Sequence, residues 1–135
     1  PMMAGHLARA EPRPPGRFTL RPSLVATVDG DAVEANLASR RLLVVDARSP
    51  DRFRGENETL DPVAGRIPGA VNRFFRENLG GDGRFRPAAD LRAAFEALAR
   101  PPAELVMQCG SGVTACHNLL AMEVAGLPGA ALYPG

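Results

Sequence analysis

Residues 109 to 116 read CGSGVTAC, and the first of them is the best-placed nucleophile in the chain. Cys109 follows an apolar run and precedes a stretch of helical character, with Gly110 and Gly112 in between. Lacking Cβ, the two glycines let the backbone curl with its N–H groups turned toward the sulfur. Those groups are also the unpaired donors of a helix start, where negative charge is favoured. A thiol in such a cradle ionises more readily and is nucleophilic near neutral pH. The plainer reading is a buried cysteine ahead of an ordinary Gly-rich turn. The order strand, Cys, Gly-x-Gly, helix favours the reactive thiol.

The second cysteine does not complete a metal site, which would want a tighter pair and more ligands than Cys116 and His117 provide. A Cys109–Cys116 disulfide would require unwinding the helix start. Cys116 therefore reads as a core-packing residue. His6 and His117 carry no partner signal, and Arg84, Arg86 and Arg92 read as a solvated face.

The elements that must position Cys109 alternate along the chain. Asp31 to Ser39 has Val33 and Leu37 four apart, with Asp31 as an N-cap or first-turn residue. Leu42 to Asp46 and Glu104 to Gln108 are short apolar runs that fit strands buried on both faces. Ala70 to Asn72 and Ala131 to Tyr133 suit shorter strands. Ala88 to Ala99, entered through Pro87, places Leu91, Phe95 and Leu98 on one helical face. Thr114 to Ala125 forms a further helix with Leu119, Leu120 and Met122 apolar, stopped by Gly126. Strands alternating with helices predict an α/β fold with an open, mostly parallel sheet. Ligands then bind beyond the carboxyl ends of the strands, after Asp46 and after Gln108.

Composition bounds the remaining possibilities. The 135 residues are 45% hydrophobic, which suits one domain with its own core and excludes a mostly disordered chain. A net charge of +1 excludes the basic excess of a nucleic-acid binder. No apolar run approaches the roughly 20 residues of a membrane-spanning helix. Two cysteines cannot build a disulfide framework, so a reduced, cytoplasmic setting is expected. Pro12, Pro14, Pro15 and Pro22 mark residues 1–26 as a Pro-rich arm or interdomain linker.

CGSGVTA resembles the active-site loop of the rhodanese superfamily, in the form typical of 3-mercaptopyruvate sulfurtransferases. VVDARSPDRFRG and DPVAGRIPGAVN are similar to two further segments of that family, in the same order. The resemblance covers residues 27–135 and implies a rhodanese-like open parallel sheet flanked by helices on both faces. It implies a sulfurtransferase that carries sulfur as a Cys109 persulfide, held by Gly110, Ser111, Gly112, Val113 and Thr114. No metal and no organic cofactor are implied. The sulfur comes from a small donor and passes to a thiol, such as thioredoxin or a small thiol, or to cyanide. The chain resembles the catalytic second domain of a tandem enzyme. Residues 1–26 would then be the connector to a missing N-terminal rhodanese-like domain, and the Trp-containing continuation of the family is absent after Gly135.

The donor reading divides the family's features. The loop holds no basic residue, which suits 3-mercaptopyruvate better than the dianion thiosulfate. In the mercaptopyruvate branch two arginines hold the substrate. The first matches Arg52; the second falls at Asp61, so half of that clamp is absent or replaced. Arg54, Arg66 and Arg73 are nearby in sequence, and Arg66 stands where the family has His. Ser111 matches a proton-relaying serine, although as a bare hydroxyl it could equally cap the helix. Thr114 reads as a helix-start residue. Asp46 reads as support, orienting Arg52 or the loop amides or ending the strand.

The alternative activity is that of a thiosulfate:cyanide sulfurtransferase. A cysteine phosphatase would need an arginine six residues after the cysteine to clamp phosphate, and that position is Ala115. A non-catalytic rhodanese-like interaction module typically lacks the cysteine that Cys109 retains.

Overall fold

The computed structural model describes residues 12–135. Four parallel strands form one sheet in the order β2-β1-β3-β4. They are β1 (Leu43–Asp46), β2 (Val71–Asn72), β3 (Leu105–Gln108) and β4 (Ala131–Leu132). The helices are α1 (Gly30–Ser39), α2 (Pro50–Phe53), α3 (Ala88–Glu96) and α4 (Val113–Val124). The expected α/β architecture holds, with each strand within a residue or two of its apolar run.

The burial pattern explains why those runs carry no alternation. Successive strand residues point to opposite faces. Val44, Val45 and Asp46 of β1 and all of β3 are buried, so both faces of the central strands are covered. Leu91 and Phe95 of α3 and Leu119 and Met122 of α4 join the core with Val45, Leu105 and Met107. Leu120 lies on the outer side of α4 and is 53% exposed.

Local chemistry sets the ends. Asp29, not Asp31, caps α1, its carboxylate accepting from Ala32 N at 2.9 Å, while Asp31 lies in the first turn. Asn36 braces the turn into β1 by bonding both the N–H and the C=O of Leu42 at 2.8 Å. Gly126, at φ +71°, follows the end of α4 as expected. The polar stretch after Arg48 is not wholly irregular: Pro50 starts the single turn of α2, a position where its missing N–H costs nothing.

The sheet edge reaches into the N-terminal arm. Thr27 bridges Leu132 in parallel, Leu132 N donates to Ala26 O at 2.8 Å, and Val25 packs against the core. No helix among the described residues is long and apolar enough to cross a membrane.

From β1 the chain moves outward to β2, then returns past β1 to form β3 on its other side. The chain order therefore switches direction between β1 and β3, and a crevice opens beyond their carboxyl ends. Asp46 pairs with Gln108 across this junction, and Ala47 N donates to Gln108 O at 2.8 Å. The next residue is Cys109.

Candidate active site

Cys109 leaves β3 with 3% of its surface exposed and opens onto a cleft of about 380 Å³. The loop gathers the N–H groups of Ser111, Thr114 and Ala115 and the Thr114 hydroxyl around the sulfur, where they favour its ionised form. Burial pushes the thiol pKa up. These donors more than offset it, with Thr114 the largest contributor, and the pKa falls below that of an ordinary thiol. The N-terminus of the 12-residue α4 points its dipole at the same sulfur.

The loop's shape depends on Gly112. Its φ is +77°, in the left-handed region, and a Cβ there would lie 3.2 Å from Pro134 Cα. A side chain at this position meets backbone strain and a steric conflict together. Gly110 lies under the cleft's charged wall, its Cβ position 3.5 Å from Asp61 Oδ2 and 3.6 Å from Arg52 Nη2. Gly110, Gly112 and Val113 thus shape the loop, whereas the donors to Sγ come from Ser111, Thr114 and Ala115.

Ser111 does not cap α4, whose first turn receives no side-chain cap; it stands exposed in the lining of the cleft. Thr114 stands at the start of the helix, and its hydroxyl is the side chain that favours the ionised sulfur.

The opposite wall is a charge network. Asp46 is fully buried, and of the partners open to it as a supporting residue it takes the Arg48 side chain and amide and not Arg52. Arg48 Nη2 reaches Asp46 Oδ2 at 2.7 Å and Gly65 O at 2.7 Å, and its Nη1 lies 3.5 Å from Asp61 Oδ2. Arg52 does line the cleft, but its Nε donates to Glu58 Oε2 at 3.0 Å and its Nη2 to Asp61 Oδ2 at 2.9 Å. Glu58 is nearly buried, and the Arg52 guanidinium together with the Asp61 and Leu60 amides holds its pKa at about 2.

None of the three nearby arginines takes up the missing half of the clamp. Arg54 pairs with Glu56 in solvent. Arg66 lies 4.8 Å over the Phe53 ring and donates to Phe53 O. Arg73 is buried over Phe95 and bonds Glu77 and Asn78. The second guanidinium of the cleft is Arg48, which sequence reading passed over; its signal was the spacing two residues beyond the strand-ending Asp46.

The aromatic floor of the cleft also escaped notice. Phe75 lines the cleft and contacts His117 edge-on at 5.3 Å, while Phe85 lies 4.8 Å from the same imidazole. Asn78 lies 3.2 Å from His117 Nδ1 and donates to Asn118 Oδ1 at 2.7 Å. Burial lowers the His117 pKa below that of an ordinary imidazole. His117 is thus a packed, hydrogen-bonded residue behind the cleft. Cys116 is exposed, contrary to the expected core role. It faces a separate groove with Leu24, Leu119 and Leu120, and both cysteines are free thiols.

Comparison with known proteins agrees with this geometry. Residues 29–135 match the rhodanese-like domain. A probable 3-mercaptopyruvate sulfurtransferase of Pseudomonas aeruginosa is 50% identical over 90% of this chain and 43% of its own length. Bovine thiosulfate sulfurtransferase is 38% identical over 97% of this chain and 46% of its own. The crystal structure of SseA from Escherichia coli, a 3-mercaptopyruvate sulfotransferase, superposes with a TM-score of 0.74 at 31% identity. That match covers 93% of this chain and 47% of SseA. The chain spans less than half the length of these relatives.

Proposed function

The chain belongs to the rhodanese-like domain family, and on that premise we propose that it is the catalytic domain of a sulfurtransferase. Its donor is 3-mercaptopyruvate and Cys109 is the sulfur carrier. The observation that carries this reading is the position of Cys109, lining the cleft at the head of the Gly110–Thr114 loop, whose N–H groups and Thr114 hydroxyl favour the ionised sulfur.

The Cys109 thiolate attacks the donor's sulfur, forming an S–S bond as the C–S bond breaks. The electron pair of that bond leaves with carbon as the pyruvate enolate, which takes up a proton to give pyruvate. Ser111, exposed in the cleft and free of a capping role, is the proposed carrier of that proton. The outer sulfur of the persulfide rests in the loop of Gly110, Ser111, Gly112, Val113 and Thr114. An acceptor thiolate, from thioredoxin or a small thiol, then takes that sulfur and releases the Cys109 thiolate. Arg52 and Arg48 orient the donor's carboxylate.

Thiosulfate is the second reading of the donor, favoured by the likeness to the bovine enzyme. The carboxylates already paired with Arg48 and Arg52 count against a dianion. Coverage of less than half of the relatives supports a tandem protein in which residues 1–26 connect this domain to an N-terminal partner. The two free cysteines suit a reducing, cytoplasmic setting.

Cyanolysis tests the reading. Protein charged with 3-mercaptopyruvate and treated with cyanide releases thiocyanate, and Cys109→Ala releases none. Equal release from the variant would refute the assignment.

A further inference from the structure

We infer that Asp61 sets the donor specificity of the cleft by occupying Arg52 in the free protein, so that an anionic donor binds by exchange with the Asp61 carboxylate. The inference rests on the sulfurtransferase reading and adds to it a residue whose charge decides which donor is accepted.

Asp61 and Glu58 both pair with Arg52, but they differ in how firmly they are held. The Glu58 side chain is 4% exposed; its Oε2 accepts from Arg52 Nε, and its Oε1 accepts from the Leu60 and Asp61 amides at 2.9 and 3.1 Å. It is built into the loop. Asp61 is 32% exposed and engages through Oδ2 alone, at 2.9 Å from Arg52 and 3.5 Å from Arg48. Its Oδ1 takes no hydrogen bond among the described residues. Asp61 also lines the Cys109 cleft and lies beside Gly110 at the start of the sulfur loop. A carboxylate held through one oxygen, part-exposed, next to the nucleophile, is positioned as an internal stand-in for a substrate carboxylate.

Charge decides the consequence. On this wall the guanidinium groups of Arg48 and Arg52 face the carboxylates of Asp46, Glu58 and Asp61, leaving one net negative charge, to which the Cys109 thiolate adds another. A donor with a single carboxylate and a neutral reacting end needs one exchange at Arg52. A dianion whose charge sits at the reacting sulfur meets uncompensated repulsion. The native cleft therefore prefers the monocarboxylate, and loosely.

The test uses the protein at its natural length, comparing wild type with Asp61→Asn and, as a second neutral replacement, Asp61→Ser. With 3-mercaptopyruvate, KM falls about fivefold in the neutral variants, the effect of a part-exposed ion pair, and changes far more than kcat. The ratio of kcat/KM shifts toward thiosulfate. Asp61→Glu restores the wild-type KM, and the uncharged methyl ester of the donor shows no dependence on residue 61. A sulfur-free readout separates this inference from the reading beneath it. Pyruvate protects Cys109 against iodoacetamide, and the concentration needed falls by the same factor in Asp61→Asn. A KM and a pyruvate constant that stay unchanged or rise overturn the role of Asp61. A falling pyruvate constant in a protein that turns over no sulfur donor upholds Asp61 and overturns the sulfurtransferase reading instead.

Discussion

Arg48 grips Asp46 through both carboxylate oxygens, with Nε 3.1 Å from each and Nη2 2.7 Å from Oδ2, inside a site where neither side chain is more than 7% exposed. This pair ties the end of β1 to the loop that carries Asp61 and Gly65. Removing Asp46 leaves Arg48 buried with only the longer approaches of Asp61 at 3.5 Å and Glu58 at 3.6 Å. Asp46→Ala is therefore expected to lower the unfolding free energy by about 3–5 kcal/mol, read from urea denaturation. A loss comparable to that of an exposed pair would mean that water reaches the site.

The Thr114 hydroxyl is the donor that most lowers the Cys109 pKa against the opposing effect of burial. Thr114→Val keeps the shape and removes the hydroxyl. The pH midpoint of iodoacetamide alkylation at Cys109 moves upward in this variant, and Thr114→Ser brings it back. Sulfur transfer at neutral pH falls by roughly tenfold, the scale of one lost hydrogen bond to a charged group. An unchanged alkylation profile would remove Thr114 from the sulfur's environment.

Glu58 makes the loop sensitive to acid. Its pKa is about 2 in the folded protein, against an ordinary value of 4.5, because Arg52 and two amides favour the ionised form. A depressed folded pKa means that the unfolded chain takes up the proton first. The stabilisation is fully present above 4.5 and is lost as pH falls toward 2. The urea midpoint of the wild type should drop through this window, and Glu58→Gln should flatten the drop. Parallel profiles for the two proteins would show that Glu58 is not held as described.

Gly112→Ala combines a positive φ with a 3.2 Å approach to Pro134. The backbone conformation alone costs about 1–2 kcal/mol, and the contact displaces the chain at Pro134 or the loop itself. Sulfur transfer should fall more steeply than stability, because the loop amides lose their aim. Cys116→Ser, whose side chain lies outside the cleft, supplies the control.

What was legible in the sequence follows from how local each cause is. The central strands announce themselves because burial on both faces removes any alternation, as in Leu105 to Gln108. Cys109 and its glycines stand in one short segment, so the nucleophile and its cradle could be read together. Arg48, Glu58 and Asp61 come together only because the irregular segment after α2 folds back over the sheet, and no periodicity marks that path. Thr114 could be placed in the loop by resemblance alone, because a threonine at a helix start has a sufficient local role and its approach to the sulfur depends on how the loop closes. Cys116 was misplaced because a 12-residue helix with apolar residues on several sides does not declare which side faces out. Phe75, Asn78 and His117 meet across about 40 residues, beyond the reach of spacing.

The central claim is that the Cys109 sulfur accepts and carries a second sulfur atom. The most direct measurement is peptide mass mapping of the natural-length protein after exposure to 3-mercaptopyruvate, before any reductant is added. The expected result is a mass gain of one sulfur on the peptide bearing Cys109, removed by cyanide, with Cys116 unmodified. A protein that releases pyruvate with no added sulfur on Cys109, or with the sulfur on Cys116, would contradict it.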